Sequence, residues 1–118
     1  MEYIMKTSPI ILCIIAFSLA LIGCSSDPPN VRVRNELLNK ANVQFKPMSG
    51  NTININDVVA GTTTAYQEFP QGAIECSAAI QSSNDAPTGG FTTQDDYNYT
   101  VVLVNTTPAT IRVDSEKK

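Results

Sequence analysis

The stretch YNYTVVLVN, residues 97 to 105, alternates polar and apolar residues and then becomes apolar on both faces from Val101 to Val104. Alternation with a period of two marks a strand, and a run with no polar face marks one flanked on both sides by other structure. A central strand near the end of the chain needs neighbours, and the rest of the sequence supplies them. VRVRN, 31 to 35, turns Val31 and Val33 inward and Arg32 and Arg34 outward, while NVQF, 42 to 45, turns Val43 and Phe45 to one face. NTININDVV, 51 to 59, alternates Ile53 and Ile55 with asparagine, and AIECSAAI, 73 to 80, aligns Ile74, Cys76, Ala78 and Ile80. GTTTAYQEF, 61 to 69, directs Ala65 and Phe69, or Tyr66, to a core, and ATIRVD closes the chain with Ile111 and Val113.

Turn-forming residues fall between these runs, at Ser49-Gly50-Asn51, Ala60-Gly61, Pro70-Gln71-Gly72 and the longer SSNDAPTGG, 82 to 90. The segment NELLNKAN, 35 to 42, is too short and too irregular for an amphipathic helix and reads as a connection. The expectation is an all-β domain: a small antiparallel β-sandwich of seven or eight strands, immunoglobulin-like or transthyretin-like, with no helices to support parallel crossovers.

The N-terminus is of another kind. IILCIIAFSLALI, Ile10 to Ile22, is apolar throughout, but its 13 residues as a helix reach about 20 Å against the roughly 30 Å of a bilayer's hydrocarbon core. Preceded by Lys6 and followed by small residues, it has the order of a secretory signal. Met5-Lys6 makes a more usual start than Met1-Glu2, because Glu2 cancels the positive charge of Lys6.

The four residues Leu21, Ile22, Gly23 and Cys24 resemble the lipobox of bacterial lipoproteins. The resemblance implies a diacylglyceryl group on the Cys24 thiol, cleavage between Gly23 and Cys24, and acylation of the new amino group. A thiolate suits the lipid transfer, and glycine leaves the scissile bond open. The expected divisions are a signal peptide over 1 to 23, a lipidated cysteine and stiff Pro28-Pro29 tether over 24 to 30, and one sandwich domain over 31 to 118. A tether of that kind holds the domain on the order of 20 Å from the bilayer. Ser25, where Asp would favour inner-membrane retention in enterobacteria-like hosts, points to the outer membrane if the host is Gram-negative.

A second resemblance covers most of the mature chain. Val31, Val33, Asn35, Ala41, Asn42 and Val43, then Gly61, Tyr66, Pro70 and Gly72, then Tyr99, Thr100 and Val101 look like a family of small bacterial extracytoplasmic β-sandwich domains of unknown function. Where that family has Asp-Ala-Pro before the second strand, this chain has Asn39-Lys40-Ala41. The resemblance implies a sandwich on an exported protein and brings no catalytic residues.

Composition narrows the chemistry. The net charge is −3, and the basic residues are scattered, so there is no cationic cluster to exchange for phosphate counterions and no nucleic-acid partner is expected. There is no histidine, which removes the commonest general base and metal ligand and with it Ser-His-Asp and Cys-His hydrolysis. Of three cysteines, Cys13 leaves with the signal and Cys24 takes lipid, leaving Cys76 in strand phase with Ile74 and Ile80 as a small buried apolar residue. Two carboxylate pairs remain for inspection, Asp95-Asp96 and Glu68 with Glu75 across the Pro70 turn. Asn84, Asp85, Asp95 and Asp96 are hard-oxygen donors bounding the 82 to 96 segment, though their spacing matches no calcium loop, and neither a cofactor nor a metal is expected.

The functional expectation is a non-enzymatic, lipid-anchored cell-envelope protein, bound to the membrane through Cys24 and acting as a binding or structural module, with an envelope protein or a glycan as partner. The alternative is a glycan- or peptide-binding domain that uses the 82 to 96 loop, with Asn84, Asp85, Phe91, Asp95 and Asp96 as its candidate residues. Tyr66, Tyr97 and Tyr99 would then form an aromatic platform, although the chain has no tryptophan.

Overall fold

The computed structural model describes residues 26–118; the apolar segment and Leu21, Ile22, Gly23 and Cys24 lie outside the described residues. Eight strands follow one another without a helix: β1 Asn30–Asn35, β2 Ala41–Pro47, β3 Ile53–Val58, β4 Gln67–Glu68, β5 Gly72–Ile80, β6 Thr88–Thr93, β7 Tyr97–Val104 and β8 Thr110–Lys117. They form two four-stranded sheets of order β4-β1-β7-β8 and β3-β2-β5-β6. The immunoglobulin constant arrangement places strands one, two, five and four in one sheet and three, six and seven in the other. The four-plus-four order here is a β-sandwich that departs from that constant-type arrangement.

The inward residues of the two sheets interdigitate. Val31 and Val33 of β1, Val43 and Phe45 of β2, Ile74 and Cys76 of β5, and Val101 and Leu103 of β7 are all buried. Phe45 lies at the centre, edge to face with Phe69 at 4.9 Å between ring centroids and with Phe91 at 6.5 Å. Burying a side chain of this size contributes about 1.5–3 kcal/mol, so alternation of apolar residues is enough to fix which face of each strand turns in. The doubly apolar half of β7 is explained by register: outward-facing Val102 lies between Arg34 of β1 and Arg112 of β8 and is only 1% exposed. Long arginine stems can cover apolar surface while their heads stay in water.

Three expectations are corrected. The sheets are not wholly antiparallel, because β1 pairs with β7 in parallel from Asn30↔Asn98 to Asn35↔Leu103. No helical crossover is needed, since the chain between them runs through the opposite sheet. Residues 88 to 93, expected within a long loop, form β6, whose two glycines and three threonines carry no periodic signal. Ala65 and Tyr66 are exposed, so of the residues offered for a core in 61 to 69 only Phe69 is buried.

The passage from β1 to the other sheet is held by Asn35, which is fully buried. Its Nδ2 donates to the carbonyls of Asn39 and Val58, both at 2.9 Å, and its Oδ1 accepts from the Leu37 amide at 2.9 Å. The segment 36 to 40 is thus a connection, closed by one amide side chain that satisfies three backbone groups. At the end of β3 the positive φ of 56° at Asp57 accompanies a bulge, and Asn42 Oδ1 accepts the Asp57 amide at 2.7 Å. The extra residue lets Val58 turn inward although Ile53 and Ile55 set the opposite phase.

Candidate functional site

Strand directions sort the loops into two poles. One pole carries residues 26 to 29, the turns 48 to 52, 69 to 71 and 94 to 96, and Lys118. The other carries the connections 36 to 40, 59 to 66, 81 to 87 and 105 to 109. The expected single loop from 82 to 96 is therefore divided between the poles by β6, which spans about 20 Å for six residues.

This division separates the candidate residues. Asn84 is exposed at the second pole, and beside it Asp85 accepts the Ala109 amide on Oδ2 at 3.1 Å, tying loop 81 to 87 to loop 105 to 109. Phe91 points inward from β6 and packs against Tyr99 at 5.7 Å. Asp95 and Asp96 lie at the first pole. The calcium grouping of Asn84 and Asp85 with Asp95 and Asp96 is not assembled, and no group of three metal-ligating side chains occurs among the described residues. Glu68 and Glu75 lie on different sheets, because the chain crosses the sandwich at Pro70 rather than making a hairpin. The tyrosines do not form a platform: Tyr99 is buried, Tyr97 packs beside it, and Tyr66 is apart from them on the outer face of the same sheet, under the Arg32 guanidinium at 4.5 Å.

Asp95 and Asp96 instead fasten the N-terminal segment. Asp96 Oδ1 accepts the Asp27 amide at 2.9 Å, and the Asp96 amide donates to the Asp27 carbonyl at 2.8 Å. Ser26 Oγ donates to Asp95 Oδ2 at 3.0 Å, and the Lys118 ammonium donates to the Pro28 carbonyl at 2.6 Å. Pro29 is buried and its carbonyl accepts the Phe69 amide at 2.9 Å. From Ser26 onward the expected tether is thus bonded to the domain. Asp96 holds a φ of 67°, a left-handed conformation that Asp and Asn tolerate better than other side chains. Tyr99 supports the same turn by accepting the Gln94 amide on its hydroxyl at 2.8 Å.

Cys76 is 3% exposed, and burial pushes its thiol up to about 11, against a smaller lowering by the Gly89 amide bond. A thiol held protonated is a poor nucleophile.

The outer faces of the two sheets differ in chemistry. The face of β4-β1-β7-β8 is charged, with Arg32, Arg34, Asp114 and Glu116 around a depression of about 440 Å³. Arg32 Nε donates there to Thr100 Oγ1 at 3.0 Å. The face of β3-β2-β5-β6 is nearly neutral. One row across it reads Asn54, Gln44, Ser77 and Thr88, by the pairings Gln44↔Asn54, Gln44↔Ser77 and Ser77↔Thr88. Beside it Asn42 pairs with Ala79, and Asn56 stands two residues along β3 from Asn54.

Three depressions on this face run into one another. The first, about 290 Å³, shares Asn42 and Ala79 with the second, about 420 Å³, which shares Gln44, Ser77 and Thr88 with the third, about 560 Å³. The result is a shallow trough whose floor is made of the small outward side chains of β5 and the bare backbone at Gly89 and Gly90. Its charged pairs stand at the ends, Lys40 with Asp57 at 3.8 Å and Lys46 opposite Glu75 in register. The alternating asparagines and glutamine were visible in the sequence only as the outward half of each strand; their convergence on one face required the sheet order.

No family model matches the chain, and no curated protein matches it. Among solved structures it is similar to a protein from Eubacterium rectale determined by NMR, at 14% identity and a TM-score of 0.53, over 77% of this chain and 90% of that one. At that identity the likeness shows the fold alone.

Proposed function

We propose that this protein is a lipid-anchored extracytoplasmic module of the bacterial cell envelope, held to the membrane through Cys24 and working by binding rather than catalysis. The observation that carries the reading is the Leu21-Ile22-Gly23-Cys24 motif placed two residues before Ser26, which is itself bonded to the domain at Asp95. With at most about 3.6 Å per residue, Cys24 and Ser25 leave the first pole within roughly 10 Å of a lipid on Cys24. That is closer than a free spacer over 24 to 30 would set it, and it orients the domain, with the second pole outward and both sheet faces open at the sides. Two or three acyl chains make such anchorage effectively permanent, since each buried methylene contributes about 0.8 kcal/mol. Ser25 fits outer-membrane delivery in a Gram-negative host.

The binding reading is supported by what became of the reactive groups: Glu68 and Glu75 lie on different sheets, Asp95 and Asp96 are bonded to the Ser26 hydroxyl and the Asp27 amide, and the one described thiol is buried. A partner is then either an envelope protein or a glycan. The test is fractionation of cells making the native protein or Cys24→Ala, each followed by in-cell crosslinking. The native chain is expected with membranes and the variant in the soluble extracytoplasmic fraction; the same soluble location for both would defeat the proposal.

A further inference from the structure

We infer that the trough across β3-β2-β5-β6 is a binding site for a neutral, polyhydroxylated polymer, a glycan chain laid along β5. The inference goes beyond anchorage and does not depend on it, because it rests on the face and not on Cys24.

Three features of the face select this occupant. The first is unused hydrogen-bonding capacity. Among the described residues, the side chains of Gln44, Asn54, Asn56, Ser77 and Thr88 bond to no other protein group, and that of Asn42 uses only its Oδ1, on the Asp57 amide. Asn, Gln, Ser and Thr each carry both a donor and an acceptor, which is the property that matches a hydroxyl, itself donor and acceptor at once. The second is neutrality. Charge is abundant on the opposite face, where Arg32, Arg34, Asp114 and Glu116 line one depression, whereas here it is confined to the two ends of the trough. A charged ligand would find no counter-ion along the floor and would lose hydration without compensation. The third is shape. Ser77, Ala79 and Gly90 leave a floor lower than the Asn42, Gln44 and Thr88 walls, and β5 from Glu75 to Gln81 gives it a run of about 20 Å.

An extended peptide fits less well, because strand addition needs an open sheet edge with free backbone groups, whereas the floor of this trough is β5, whose backbone is already paired on both sides with β2 and β6. Rigidity adds to the case: the side chains stand on the pleat of an antiparallel β3-β2-β5-β6 sheet rather than on loops, so little order is lost when a ligand binds.

The experiment is affinity electrophoresis of the processed protein purified from cells, in native gels containing hydroxyethyl cellulose, glycogen or mannan as neutral glycans, alginate as a charged one, and gelatin as an extended polypeptide. Two variants address the trough by opposite means. Gln44→Ala with Asn54→Ala removes amides from its wall, and Ser77→Tyr fills its floor with a residue suited to strands. Tyr66→Ala on the other layer is the control. Retardation by at least one neutral glycan is expected, weakened about tenfold by the double amide variant, the effect of losing one or two ligand hydrogen bonds, weakened at least as much by Ser77→Tyr, which obstructs the floor, and unchanged by the control. Absence of retardation by all three neutral glycans, retardation equal in native and trough variants, or retardation by alginate or gelatin alone would overturn the inference. Because the assay reads binding whether or not Cys24 carries lipid, its failure is separate from failure of the anchorage proposal.

Discussion

Replacing Asn35 by alanine should remove the bond set that turns the chain from one sheet to the other. The side chain is fully buried and holds the Leu37 amide and the carbonyls of Asn39 and Val58, each at 2.9 Å. Asn39 is exposed, so water can replace the amide at its carbonyl, but Leu37 and Val58 are buried and their groups would be left without partners. An unsatisfied buried polar group costs about 1–3 kcal/mol, which places the loss at roughly 3–4 kcal/mol for the two. A domain of this size has on the order of 5–15 kcal/mol in total, so the variant should fold with much of its margin gone. With a urea slope of about 1–1.5 kcal/mol per molar for a small domain, the midpoint should fall by about 2–4 M at unchanged slope. Asn35→Asp keeps the shape but offers a carboxylate to two carbonyls, and should be at least as damaging. Asn54→Ala, on an exposed position of β3, should change stability by less than about 0.5 kcal/mol. A midpoint shift in Asn35→Ala corresponding to under about 1 kcal/mol would refute the clamp, and so would an Asn35→Asp variant as stable as the native protein.

Further outcomes follow from the same geometry. Asp96→Ala should cost about 1–2 kcal/mol and expose residues 26 to 30 to limited proteolysis, whereas Asp96→Asn, which keeps an acceptor and tolerates the left-handed φ, should be nearly neutral. Cys76 has a folded-state value of about 11 against an ordinary 9.0, so the unfolded chain loses its proton first as pH rises. Its contribution is then complete below about pH 9 and declines towards pH 11 by about 2–3 kcal/mol, a loss absent when Cys76→Ala is followed through the same pH series. Gly89→Ala would bring a Cβ to 3.2 Å from Ile111 Cγ2, and thermal melts should show a loss of about 1 kcal/mol as β8 is pushed from β6.

Much of the layer structure was legible in the sequence because the core faces obey period two: Val31 with Val33, Val43 with Phe45, and Ile74 with Cys76 and Ala78 all turn inward as their spacing predicts. What was not legible depends on contacts between distant residues. The parallel β1–β7 pair joins residues 68 apart, from Asn30 to Asn98, and no local pattern announces which sheet a strand will enter. β6 escaped because Thr88-Gly89-Gly90 looks like turn chemistry, although the glycines serve close packing, with Gly89 under Ile111. The role of Asp96 was hidden for the same reason, since its partner Asp27 is 69 residues away and an exposed acid is the ordinary expectation for such a position.

Lipid on Cys24 is the claim on which orientation and address both rest, and intact mass with acyl analysis of the N-terminal peptide from the membrane-purified protein tests it most directly. The predicted result is a chain beginning at Cys24, carrying a thioether-linked diacylglyceryl group and resisting high-salt and carbonate washes. An unmodified Cys24, or a chain beginning elsewhere and released by the washes, would contradict it.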